Sequence, residues 1–259
     1  MKFSTIVLAA DREGENPVAK AANAPCKVMV PVAGKPMLQR ILAALDECPV
    51  IEEIVLGGPA EEIWRGISFT KSLDKPCEWI TPDTSPSRSA WRCIERIETQ
   101  RPVLLTTADI AFPSSQVFTE FCRRAIDREA DVAVGLVPYR DVVERFPGVR
   151  RTPLKFADGP FCTCNLFAFL TPKGRELILA WRKLEQDRKR PWRLIRVLGL
   201  LPLLRYLARR LTTDEIARHV KRKLQIKVAF IRLPFPEAAI DVDTVEDLNF
   251  VRKLLDQPD

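Results

Sequence analysis

The sequence predicts an α/β fold built on a mostly parallel sheet with helices on both faces. Short apolar runs of strand character recur at residues 5–9, 54–57, 78–80, 103–107, 132–137, 164–169 and 228–233. Between the earlier runs lie stretches with apolar residues at helical spacing, 37–46, 60–66, 87–97 and 114–128. That alternation is the signature of successive strand–helix units around a doubly covered sheet. The chain has 259 residues, 46% hydrophobic and 29% charged, which suffices for one such domain with a full core.

The first run opens "VLAADREGENPVAKAANAPCKVMVPVAGKPML", residues 7–38. A buried strand gives way to about twenty residues of low apolar content that hold Asp11, Arg12 and Lys27, and then a Pro-rich turn precedes an apolar helix. Loops beyond about 12–15 residues inside a compact domain are functional or disordered, and this one carries the charges of a binding loop. The next units alternate regularly. From about residue 149 the pattern changes to two strands and a helical stretch over 172–223, interrupted at Pro191 and Pro202. A last strand follows, and then a helix from near Thr244 with Glu246 as its capping-box partner. One compact domain with halves 1–148 and 149–259 is expected, the second half carrying a helical, basic insertion at about 172–224.

The apolar run after Met1 is too short for a signal peptide or an anchor, and later runs fall well below the roughly 18 residues of a membrane span. A soluble, cytoplasmic protein is expected. Its seven cysteines are scattered and lack paired zinc spacing, so reduced thiols are expected; Cys162 and Cys164 share a strand face but have no neighbouring histidine. The single histidine, His219, sits in "ARHVKRK" and reads as solvated, which argues against histidine-based nucleophilic catalysis. The net charge of +7 is unevenly spread. Residues 181–227 hold fifteen Lys or Arg against four acids, a local +11 that leaves −4 for the rest.

In open parallel sheets ligands bind beyond the carboxyl ends of the strands. Three such places carry chemistry. The opening loop offers backbone N–H groups at Leu8, Ala9, Ala10, Asp11 and Arg12, with Arg12 and Lys27 as cations for phosphate. "PVLLTTADIAFP" ends a buried strand at Asp109, where a carboxylate suits Mg²⁺ or caps a turn. In "AAIDVDTVEDL", Asp241 and Asp243 point to one side of extended backbone, and Asp243 also suits a helix cap.

Taken in order, Leu8-Ala9-Ala10, Arg12, Lys27, "PVAGKPML" at 31–38, the strand ending in Asp109 and "DVDTVEDL" resemble the MobA-like nucleotidyltransferases of the GT-A-like superfamily. The resemblance covers roughly residues 3–137 and 228–255, and implies a Rossmann-like (GT-A-like) sheet. It implies that the opening loop, residues Leu8 to Arg12, and Lys27 hold the phosphates of an NTP. Asp109 and Asp243 would bind Mg²⁺, with Asp241 in reserve. Ser87 and Ser89 in "SPSRSAWRCIE" would face the base, and Asn165 would meet the acceptor, with Lys155 a second substrate-binding candidate. One departure stands out: the family opening L-A-A-G-x-G-T-R is Gly-rich, whereas Asp11 occupies the first glycine position, where its carboxylate would repel phosphate unless turned away, with triphosphate binding and activity both at stake.

The implied reaction moves an NMP from an NTP onto a phosphorylated acceptor with release of pyrophosphate, dependent on Mg²⁺ and needing no strong general base. The expected partners are the NTP and a phosphorylated small molecule, without nucleic acid. Two alternatives stand beside it. A GT-A glycosyltransferase would carry a DxD where this chain reads Thr107-Ala108-Asp109; the other alternative is a non-catalytic nucleotide-binding or membrane-surface module. The resemblance leaves "RKRPWRLIRVLGLLPLLRYLARRL", residues 188–211, unexplained. Its Arg and Leu, with Trp192 and Tyr206, suit a helical pair with solvated arginines, or a basic cover over the acceptor side with weak affinity for anionic membranes.

Overall fold

A computed structural model of the chain describes residues 1–11, 14–186 and 199–255. Among these the chain order is β1 (Phe3–Leu8), α1 (Pro17–Ala21), β2 (Pro31–Val32), β3 (Lys35–Pro36), α2 (Met37–Asp46), β4 (Ile51–Gly57), α3 (Glu61–Trp64), β5 (Cys77–Ile80), α4 (Pro86–Ile94) and β6 (Val103–Thr107). It continues with α5 (Ser115–Ile126), β7 (Val132–Pro138), α6 (Tyr139–Arg145), β8 (Leu154–Phe156), β9 (Gly159–Phe169) and α7 (Pro172–Gln186). After the stretch 187–198 come α8 (Leu200–Leu207), α9 (Thr213–Leu224), β10 (Val228–Arg232) and α10 (Val245–Leu255).

The main sheet runs β10-β7-β9-β6-β1-β4-β5, with β8 paired to β9. Strands β1, β4, β5 and β6 pair in parallel, as do β7 and β10, and β9 is the antiparallel strand between β6 and β7. The mixed α/β architecture agrees with the sequence. Alternation along a buried strand explains why both faces are apolar: Phe3 and Val7 of β1 join the core under α2 and α5, while Ile6 joins the core under α4 and α7. On α2, Leu38, Ile41, Leu42 and Leu45 repeat at i, i+3, i+4 and i+7, and all four are buried.

Several local expectations change. The opening segment is not wholly irregular: Asn16 caps α1, its Oδ1 accepting from the N–H groups of Val18 (3.0 Å) and Ala19 (3.3 Å), with Pro17 in the first helical position. The capping partner of Thr244 is Asp247, not Glu246. Asp247 Oδ2 accepts from the Thr244 N–H and hydroxyl, both at 2.9 Å, because the N3 side chain is the one that reaches back. Pro202 does not break a helix but lies in the first turn of α8, where an N–H would have no intrahelical acceptor. Pro191 lies outside the described residues. His219 is half-buried, and its Nε2 is covered without a hydrogen-bond partner among the described residues. All seven cysteines are free thiols, and burial pushes Cys93 and Cys164 up to about 12. No helix among the described residues is long and apolar enough to cross a membrane.

A bulge shapes the middle of the sheet. Val134 pairs with Phe167 and Leu136 with Thr163, so Gly135 alone faces Cys164, Asn165 and Leu166 of β9. A Cβ on Gly135 would sit 2.6 Å from the Cys164 sulfur, so only glycine lets the strands approach there. Asn165 takes φ +52°, a left-handed conformation that Asn tolerates, and the bulge re-aims its side chain.

Candidate active site

The carboxyl ends of the parallel strands open into a cavity of about 590 Å³. The chain closes it by stitching the opening loop and the late acidic segment to the central strands. Ala108 donates to the Leu8 carbonyl (3.0 Å) and Ala9 to that of Gly57 (2.9 Å). Gly58, at φ +92°, lets β4 pass under the loop, where a Cβ would meet Ala10 N at 2.9 Å. The segment holding Asp241 and Asp243 is tied beside β6: Ile110 bridges Asp241, Ala111 N–H donates to Ile240 O (2.9 Å), and Val242 N–H donates to Asp109 O (3.0 Å). Two acids more than a hundred residues apart thus become neighbours.

Lys27 joins them. Its Nζ donates to Asp109 Oδ2 at 2.7 Å and to Asp243 Oδ1 at 2.8 Å. Burial disfavours the ammonium, but the two carboxylates outweigh it and hold the Lys27 pKa above its ordinary value. Thr107 Oγ1 fixes the other Asp109 oxygen at 2.5 Å. Asp11 resolves the departure from the Gly-rich opening: Asp11 Oδ2 accepts from the Lys27 backbone N–H (2.9 Å) and Oδ1 from Asn16 Nδ2 (3.4 Å). Its carboxylate is spent on holding the turn that presents Lys27.

Of the residues expected at the site, Leu8, Ala10, Asp11, Lys27, Ser89, Asp109 and Asp243 line the cavity. Ser89 Oγ also accepts from the Asp83 N–H (2.8 Å), holding the loop before α4. Ala9 is buried behind the wall, and Ser87 is fully buried. Lys155 lies exposed on β8, away from the lining. Arg12 lies outside the described residues. Asn165 and Asp241 form a second cluster with Arg151, which sequence reasoning did not single out. Arg151 pairs with Asp241 Oδ1 and donates to the Asp241 carbonyl (2.8 Å), while Asn165 Nδ2 donates to Asp241 Oδ2 (3.1 Å). Burial pushes the Asp241 carboxyl up to about 6; Arg151 opposes this, and Asp109 and Asp243 add to it. Asn16 was legible as Asn before Pro; Arg151 has no local signal, since its partner lies 90 residues away.

The donor set also bears on a metal. Among the described residues no three Asp, Glu, His or Cys side chains converge as a metal cage. Two carboxylates do converge, each within 2.8 Å of one ammonium. Mg²⁺ typically takes one or two carboxylates and completes its shell with water and phosphate oxygens, so Asp109 and Asp243 fit it. The described lining also carries Asp11, Glu15 and Asp83, of which Asp83 is paired with Arg88 (2.9 Å) and Arg92 (3.4 Å) from α4.

A doubly covered α/β sheet with a lysine and paired acids at its strand exits is the arrangement of a ligand-binding α/β domain, and the class of protein follows from its relatives. The chain belongs to the MobA-like NTP transferase family, whose domain matches residues 6–201. It is 25% identical over 121 residues to the 2-C-methyl-D-erythritol 4-phosphate cytidylyltransferase of Symbiobacterium thermophilum, a match that covers 46% of this chain and 49% of that protein. The chain thus spans about half the length of that curated relative. A hypothetical transferase from Thermus thermophilus superposes with TM-score 0.77 at 28% identity, covering 96% of this chain and all of that one. A 4-diphosphocytidyl-2C-methyl-D-erythritol synthase from Anaerococcus prevotii superposes over 99% of both chains with TM-score 0.58; at 14% identity the likeness is one of fold.

Proposed function

We propose that the protein transfers an NMP from an NTP to a phosphorylated small-molecule acceptor and releases pyrophosphate. The observation that carries this reading is Lys27 set between Asp109 and Asp243 at the mouth of the parallel strands. In the bound state Lys27 would swing from the carboxylates to the phosphates, and the opening loop would offer Leu8, Ala10 and, with Arg12, its main chain and cation to the same chain of oxygens. Asp109 and Asp243 would hold Mg²⁺, which would supply charge neutralisation for the polyphosphate. Asp241 reads as a positioning group, because Arg151 and Asn165 occupy both of its oxygens.

Ser89 and the start of α4 flank the far wall, where the base would lie, and Ser87 supports them from within. Residues 1–148 then serve the nucleotide and 149–259 the acceptor, with Asn165 turned to that side and Lys155 at its edge. An acceptor phosphate oxygen is already anionic, so attack on the α-phosphorus needs orientation more than a base. The seven free thiols suit a reducing, cytoplasmic setting. The test is pyrophosphate release with each of the four NTPs against a panel of phosphorylated alcohols and sugars, with and without Mg²⁺. CTP heads the panel because the curated relative is a cytidylyltransferase. Failure of every NTP and acceptor pair would discard the reading.

A further inference from the structure

Helix α8 leaves an apolar stripe in solvent. Leu201, Leu204 and Leu207 are 68%, 52% and 68% exposed, and their spacing of three places them along one side of the helix. Among the described residues they are three of the five exposed large apolar side chains, the others being Met1 and Val143 far along the chain. The opposite side is anchored: Tyr206 packs edge-on against Phe156 of β8 with ring centres 5.7 Å apart, and its hydroxyl accepts from the Lys155 N–H at 3.4 Å. The stripe therefore faces outward because the helix is fixed to the sheet by its other side.

Its surroundings are cationic. Residues 199–227 carry eight Lys or Arg against Asp214 and Glu215. Arg209 and Arg210 follow α8 directly, and Lys221, Arg222 and Lys223 fill the last turn of α9. Between the two helices lies a cavity of about 610 Å³ whose walls include Leu201, Arg205, Arg218, His219, Lys221 and Arg222. Arg205 is partly engaged by Glu215 at 2.6 Å. A neutral apolar partner would cover the leucines and make no use of the positive charge around them. An anionic bilayer answers both, with leucines at the acyl boundary and cations on the headgroups.

We propose that α8 and α9 form a docking surface for an anionic phospholipid bilayer. The full chain is sedimented with phosphatidylcholine vesicles and with vesicles that also contain phosphatidylglycerol, at about 0.02 M and about 0.15 M salt. The expected result is at least tenfold more protein on the anionic vesicles at low salt, falling as salt rises. Leu201→Ser, Leu204→Ser and Leu207→Ser together should reduce binding about tenfold, with circular dichroism checking the fold. Arg209→Gln with Arg210→Gln, a second variant that spares the stripe, should weaken binding and flatten its salt dependence. No binding to anionic vesicles at low salt overturns the proposal, as does equal binding to neutral vesicles or full retention by both variants. A dimer in sedimentation equilibrium that the triple variant dissolves, without vesicle binding, would assign the stripe to a second copy of the chain instead.

Discussion

Lys27 is a partly buried cation whose charge is kept by two anions. Its ammonium should be the main protein contact of the polyphosphate among the described lining residues, and a charge-assisted hydrogen bond contributes about 1.5–3 kcal/mol. Lys27→Ala is therefore expected to lower kcat/KM for the NTP by about 10- to 100-fold, measured by coupled pyrophosphate release. A fall in acceptor affinity alone would reassign the residue. Asp109→Asn keeps the shape of the strand exit but removes one charge; turnover with Mg²⁺ should fall at least about 100-fold, while the thermal midpoint moves little. Near-normal turnover would remove Asp109 from the metal site. Asp109 was legible in the sequence because it stands just past the end of an apolar run, and Lys27 because it is a cation within the polar opening loop. The role of Asp11 was not, because the sequence shows a carboxylate at a glycine position but not the backbone N–H it turns toward.

At the scale of elements, the bulge in β9 and the tie beneath α9 fix how the second half of the chain is held. Gly135→Ala would force a methyl group onto the Cys164 sulfur, an overpacking expected to cost about 1–3 kcal/mol. It should also disturb the left-handed Asn165 that holds Asp241; urea unfolding beside turnover would show both. Asp158 ties α9 to the sheet by accepting from the Thr213 N–H (3.1 Å) and hydroxyl (2.5 Å) and pairing with Arg232 (2.6 Å). Burial alone would raise its carboxyl, but these partners prevail and hold it below the ordinary value. The folded state then favours the ionised form, so the contribution is present above about pH 4 and is lost as pH falls through the lowered value. The gap in thermal midpoint between the native chain and Asp158→Asn should narrow on acidification over that range; a constant gap would deny the linkage. The strand–helix units were readable from periodicity. The bulge was not, since it arises from the register between two strands about thirty residues apart, and neither strand records it alone.

Across the whole molecule, the cavity is shared by segments from both ends of the chain, so a ligand that fills it should bind the folded state alone. At about 100-fold excess over its dissociation constant an NTP would stabilise the fold by about 2.7 kcal/mol, seen as a rise in thermal midpoint with nucleotide concentration. The family resemblance anticipated this convergence of the opening loop, β6 and the late acidic segment. The part of the molecule that the sequence explained least is the basic one, because composition states how much charge is present but not which side of α8 is turned toward it.

The ammonium between Asp109 and Asp243 has a further consequence for how the chain matures. Two facing carboxylates repel each other unless a cation lies between them. Here the chain carries its own counter-ion, so folding is expected to need no divalent ion. A chelator should leave refolding yield and thermal midpoint unchanged, whereas in Lys27→Met both should become dependent on added divalent ion.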